Sequence, residues 1–348
     1  MKDFVPDFNN IVLAANNVKP NRVPFYEHQI ANNIISEIMG IEIVDVETYS
    51  DSELDEYFSV YCNFYKEMEY DSVSFERILS GIMPGNGALY GHEDGCIKEY
   101  SDFNAYPWED LKNIYFTKNK RYFNALRRNM PVGMKAIGGV GNGIFECVQD
   151  IVGYMNLCYI KVDDEELYKA LFSKVGDVLY DIWDEFLKNY SDVFCVMRMG
   201  DDLGFKTNTL LPPDDLIDHI IPKYKQVIDL IHSKKKPFLL HSCGNLFGIM
   251  ENLIDAGIDA KHSNEDEIAQ MEVWYEKYGD RIGNFGGIDA DVLCRYSKKE
   301  ITEYVTDIYY KSVNYKGVAL GSGNSIPDYM PVENYITMIE TLSQLRKV

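Results

Sequence analysis

The sequence contains no CxxC pair, and its seven cysteines, an odd number, lie scattered at positions 62, 96, 147, 158, 195, 243 and 294. That spacing builds neither a disulfide framework nor a zinc ribbon, and most of these thiols read as small buried hydrophobes. Positive charge is also scarce. Lys and Arg number 34 against 55 Asp and Glu, a formal net charge of -21, and such a field repels phosphate backbones and anionic lipid. Nucleic acid and membrane are therefore not expected as partners. Apolar runs such as Pro237–Leu240 are far too short to span a bilayer, and the opening residues Met1-Lys2-Asp3-Phe4 form no apolar leader, so a cytoplasmic protein is expected. No Gly/Ser-rich linker, charge block or fixed-period repeat divides the chain. A single domain over residues 1–348 is the expectation.

What is present is an alternation of short β-rich runs and helical stripes. Strands are expected at residues 193–197, 237–240, 258–261, 281–285 and 317–320, each followed by a helical pattern, with three more at 22–26, 70–75 and 134–140. Pro222 interrupts an apolar stripe that continues beyond it, which predicts a kink. Eight strands with intervening helices predict an α/β fold, a (β/α)8 TIM barrel with helical and loop insertions in its N-terminal half. An open dinucleotide-binding sheet is disfavoured, because Gly138–Gly143 lacks the GxGxxG context.

Barrel enzymes carry their chemistry on the loops after the strands. Here those positions hold Glu27, His28, Asn142, Glu146, Asp201, Asp202, His241, Cys243, His262, Asn264, Glu265, Asp289, Ser322 and Asn324. Ionisable ends on buried strands cost a few kcal/mol, roughly, unless paired or solvated, so function is the simpler explanation for the set. Singly, an Asp or Asn after a strand is often only a helix cap, the plain alternative for Asp266, Asp289 and Asn264. His241 and Cys243 stand two apart, so on an extended segment they face one side and can bite one metal ion. His28 would point away from the barrel axis if the strand through Glu27 persisted.

Several segments together resemble the uroporphyrinogen decarboxylase superfamily, which includes zinc-dependent corrinoid methyltransferases. They are Gly200-Asp201-Asp202-Leu203-Gly204, Pro222, His241-Ser242-Cys243-Gly244-Asn245, Gly287-Ile288-Asp289, Leu320-Gly321-Ser322-Gly323 and Pro331-Val332-Glu333-Asn334. A decarboxylase would carry a Met-Arg-Gln-Ala-Gly-Arg stretch at strand one, where this chain has Tyr26-Glu27-His28-Gln29-Ile30. A carboxylate in place of a guanidinium repels a polyanionic tetrapyrrole. The methyltransferase branch is matched by His241 and Cys243, which stand at its His-x-Cys zinc ligands, but not by its third ligand, a cysteine at whose position Ser322 stands.

The resemblance thus implies a zinc-dependent methyltransferase that moves a methyl group between a small methoxy or methylamine donor and a corrinoid carried on a partner protein. The expected metal ligands are His241, Cys243 and a carboxylate, Glu146 ahead of Glu27. Asp201, Asp202 and Asn324 are the expected catalytic residues, and Glu27, His262, Asp289 and Ser322 the substrate-binding ones. The alternatives are a metal-independent decarboxylase or lyase working through Asp201, Asp202 and His241, and a non-catalytic tetrapyrrole-binding barrel.

Overall fold

A computed structural model describes residues 4–91 and 93–347. Seven parallel strands form one sheet in sequential order: β1 (Ser72–Ile78), β2 (Lys135–Gly141), β3 (Phe194–Gly200), β4 (Phe238–His241), β5 (Ala260–His262), β6 (Gly283–Ile288) and β7 (Val318–Ser322). Each is followed by helix or loop and then helix before the next, the α/β arrangement expected of strands buried on both faces.

The expected first strand, at 22–26, is reduced to a single bridge. Phe25 pairs in parallel with Leu320, through Tyr26 N–H to the Leu320 carbonyl (2.9 Å) and Leu320 N–H to the Pro24 carbonyl (3.0 Å). Pro24 has no N–H to continue a ladder. On the other side a side chain does the joining, because Ser74 Oγ on β1 donates to the His28 carbonyl at 2.6 Å. The sheet thereby curls round so that the eighth extended segment lies against β7, consistent with a TIM-like barrel.

Two apolar cores result. The larger packs helices against the outside of the sheet, and the smaller lies inside it: Ile11, Ala14, Tyr26, Val196, Leu239, Ala260 and Phe285 meet there with Ala319. Ile11 and Ala14 belong to the helix Asn9–Ala15, which contacts β3, β6 and β7 and stoppers the N-terminal end of the barrel. Along each strand alternate residues face inward, so above Leu239 and Ala260 come His241 and His262, directly paired in register on β4 and β5.

Two helices differ from expectation. The helical pattern expected after the strand at 258–261, over residues 265–278, is helical only from Met271, because residues before it bond outward: Asn264 N–H to the Gly323 carbonyl and Asp266 N–H to Asp289. Before Pro222 the chain makes a wide π turn over Leu216–Ile220 and then runs as a regular helix over Ile221–Ser233, so the expected kink takes this form. Among the described residues no helix is long and apolar enough to cross a membrane.

Candidate metal centre at the barrel mouth

The C-terminal end of β4 places His241 inward, and the chain turns so that Cys243 lies beside it, Sγ to Nε2 3.7 Å. After β3, Asp202 reaches the same point: its Oδ1 is 3.9 Å from His241 Nε2 and accepts the Cys243 N–H at 2.9 Å. Ligand atoms of Asp202, His241 and Cys243 all lie within 4.8 Å of one another. Tetrahedral zinc with bonds of 2.0–2.3 Å holds such donors roughly 3.3–3.6 Å apart, so a small inward movement would close these three on one ion. The set fits zinc: one imidazole, one thiol, one carboxylate and a position left over. The Asp202 side chain is 44% exposed, which leaves the group open to solvent on its side.

Around the sulfur stand two further donors, Ser263 Oγ at 3.6 Å and Asn324 Nδ2 at 3.5 Å. Burial pushes the Cys243 thiol up, and the neighbouring Asp202 carboxylate adds to the effect. A divalent cation bound there would reverse both influences and hold the sulfur as thiolate. Behind His241 the packing is dense. Its ring stacks on His28 with centroids 3.6 Å apart, and its Nδ1 lies 2.7 Å from His262 Nδ1.

The uroporphyrinogen decarboxylase (URO-D) family model matches residues 99–345. The chain belongs to the uroporphyrinogen decarboxylase family. No curated protein matches it in sequence. Among solved structures, a methyltransferase from Methanosarcina mazei superposes with a TM-score of 0.75 at 14% identity, over 98% of this chain and 99% of that one. That likeness establishes the fold. A glycoside hydrolase family 5 enzyme from Prevotella bryantii (8% identity, TM-score 0.45, 98% and 99% covered) and a xylose isomerase-like TIM barrel protein from Mycobacterium smegmatis (10%, 0.42, 93% and 97%) are too distant to weigh.

Within this family's framework the expected residues fall into three groups. His241, Cys243, Asp202 and Asn324 come together at the mouth. Among the described residues Glu146, expected as the third ligand, is not grouped with His241 and Cys243; its Oε2 accepts from Asn142 Nδ2 at 2.8 Å. Asp202 takes its place geometrically. Burial, with Asp201 and Asp202 close by, pushes the Glu146 carboxyl well above the usual carboxylate range.

The third group is turned to structural work. Asp201, expected to be catalytic, is fully buried and caps the helix Ile144–Val152, accepting Phe145 N–H (2.9 Å), Glu146 N–H (2.8 Å) and the Tyr224 hydroxyl. Burial raises its carboxyl to about 6. Asp289 caps the helix Ala290–Arg295 through Asp291 N–H and also holds Asp266 N–H, the plain reading of that residue. Ser322 cannot stand in for a cysteine ligand, because its hydroxyl is committed to Glu27 and to the Asn324 carbonyl. His262 is buried behind His241 rather than facing a substrate.

Glu27 likewise spends both oxygens on Ser322, one on its N–H (3.0 Å) and one on its hydroxyl. Gly321 allows the approach, since a Cβ there would sit 1.8 Å from the Tyr26 carbonyl. Burial raises the Glu27 carboxyl to about 8. The bonding agrees: the Ser322 hydroxyl has one proton and two oxygen neighbours, so a protonated Glu27 donates to Ser322 while Ser322 donates to Asn324. A carboxyl raised in the fold stabilises fully below its unfolded value and loses that contribution as pH climbs through the folded one. Wild type should therefore lose about 2 kcal/mol more than Glu27→Gln between pH 6 and pH 8, read as the difference in urea unfolding free energy. Parallel curves for the two proteins would contradict it.

Three participants carried little sequence signal. His28 was expected to face away, but the extended run ends at Tyr26, the alternation stops, and the ring lands on His241. Arg198 and Glu76 form a buried ion pair inside the barrel, Nε to Oε2 2.9 Å, extended by Tyr26 and Ser74. Both sit in strands at inward positions, so only the register, once known, singles them out.

Proposed function

We propose that the protein is a zinc-dependent methyltransferase that passes a methyl group from a small methoxy or methylamine donor to a corrinoid held by a partner protein. The observation that carries this reading is the convergence of Asp202, His241 and Cys243 within 4.8 Å. Zinc bound there supplies a Lewis acid for the heteroatom from which the methyl departs.

The chain's own residues supply the rest. Asp202 is held in place by the Cys243 N–H, and Ser263 and Asn324 clasp the sulfur, so the donor set is oriented before any ligand arrives. Glu146, near Asp202 and with its carboxyl pushed well up by burial, would give a proton to the departing oxygen or nitrogen. The methyl goes to the reduced corrinoid, the electron pair of the broken bond stays on the heteroatom, and the Glu146 proton neutralises it.

A metal-free decarboxylase finds less support. Asp201 is consumed as a helix cap, and Arg198, the guanidinium inside the barrel, is spent on Glu76. Mixing the purified protein with a reduced corrinoid and a panel of methoxy and methylamine donors should shift the cobalt absorption for at least one donor. Protein purified without added metal should carry zinc that Cys243→Ala lacks. No shift with any donor, together with carbon dioxide released from a porphyrinogen, would replace this function by the decarboxylase.

A further inference from the structure

We infer that His262 fixes the tautomer of His241 and thereby turns a bare Nε2 toward Asp202 and Cys243. The inference rests on the zinc reading for its consequence but not for its geometry.

The argument is proton counting along a chain of contacts. His262 Nε2 lies 3.0 Å from the carbonyl oxygen of Ser322. A carbonyl has no hydrogen to give, so the proton in that contact belongs to His262 Nε2. A neutral imidazole carries one N–H, which leaves His262 Nδ1 as an acceptor. Its partner 2.7 Å away is His241 Nδ1, and the hydrogen between them must therefore come from His241. His241 then has its single proton on Nδ1, and its Nε2 presents a lone pair 3.7 Å from Cys243 Sγ and 3.9 Å from Asp202 Oδ1.

Two features keep both rings neutral. His262 is fully buried and His241 nearly so, and among the described residues no carboxylate contacts His262. The far end of the relay is equally fixed. Ser322 lies opposite Ile288 in the β6–β7 register, and its N–H is held by Glu27. A carboxyl from the first extended segment, a peptide of the last strand and two imidazoles of the middle strands thus form one line ending at the donor set.

The consequence is preorganisation. In the other tautomer, Nε2 would carry a hydrogen aimed at the incoming cation, and binding would require the ring to shed or relocate it. Metal-ligating histidines commonly have their second nitrogen fixed by a hydrogen bond, and losing that partner typically lowers metal affinity about 10–100-fold. Here the partner is itself a histidine, at the same register one strand away.

The first test needs no metal. In metal-free wild-type protein labelled with 15N-histidine, long-range 1H–15N spectra should show His241 protonated at Nδ1 and pyridine-like at Nε2, with its signals assigned from His241→Gln. A ring protonated at Nε2 would overturn the inference. The second test measures zinc affinity by chelator competition. His262→Phe should bind zinc about 10–100-fold more weakly than wild type, whereas His262→Asn, whose Oδ1 can still accept from His241 Nδ1, should recover most of the loss. Equal affinity in wild type and His262→Phe would overturn the inference. Wild type that binds no zinc would instead remove the zinc reading, and the spectra would still decide the tautomer.

Discussion

Asp202→Ala should bind zinc at least about 100-fold more weakly than wild type, because removing a direct ligand costs no less than losing an outer-shell partner. Glu146→Gln should keep wild-type affinity. The two substitutions separate the sequence expectation from the geometry, since Glu146 was expected as ligand and Asp202 is the carboxylate that reaches His241 and Cys243. Their effects on turnover should also differ in kind. Glu146→Gln, metal-loaded, should lose about 10²–10⁴ in methyl-transfer rate if the proton it holds is the one delivered to the leaving atom. Zinc titration with competing chelator and single-turnover spectroscopy provide the two readouts. Loss of zinc from Glu146→Gln with retention in Asp202→Ala would restore the original ligand assignment.

The second large effect concerns stability. Arg198→Met should destabilise the fold by about 3–5 kcal/mol, because it strands the Glu76 carboxylate inside the barrel without its counter-charge. The guanidinium of Arg198 is fully buried and bonded to Glu76, Tyr26 and the Ser74 hydroxyl, so one substitution strips partners from three groups. Arg198→Met combined with Glu76→Gln should recover a substantial part of the loss, since a neutral amide is less costly to bury than an unpaired charge. Denaturant unfolding of the three proteins checks this. A single substitution costing under 1 kcal/mol would show that the pair is solvated rather than buried.

The strands after residue 130 were legible because each is a short apolar β-rich run ending in a polar residue, and the barrel expectation followed from counting them. The first was not, because Pro24 removes the donor a ladder would use and leaves one bridge to β7. His241 and Cys243 were legible as a pair because a spacing of two on an extended segment is a local property. The third member of the donor set was not: Asp202 and Glu146 both follow strands, and only the three-dimensional path of their loops decides which reaches the sulfur. Asp201 and Asp202 are adjacent and identical in type, yet one caps a helix and the other faces the mouth, a division set by the turn after Gly200. Arg198, Glu76 and His28 were hidden for a related reason. Their importance lies in neighbours 46 to 213 positions away, which no local pattern encodes.

Because the helix Asn9–Ala15 closes the far end and apolar side chains fill the tube above it, the donor set around Cys243 is reached from the mouth of the barrel and not through its floor. Donor, acceptor and spent product therefore all come and go on that side. For the proposed transfer, donor and corrinoid have to be present together, so the small donor enters first, the corrinoid approaches over it, and the demethylated product leaves after the corrinoid withdraws.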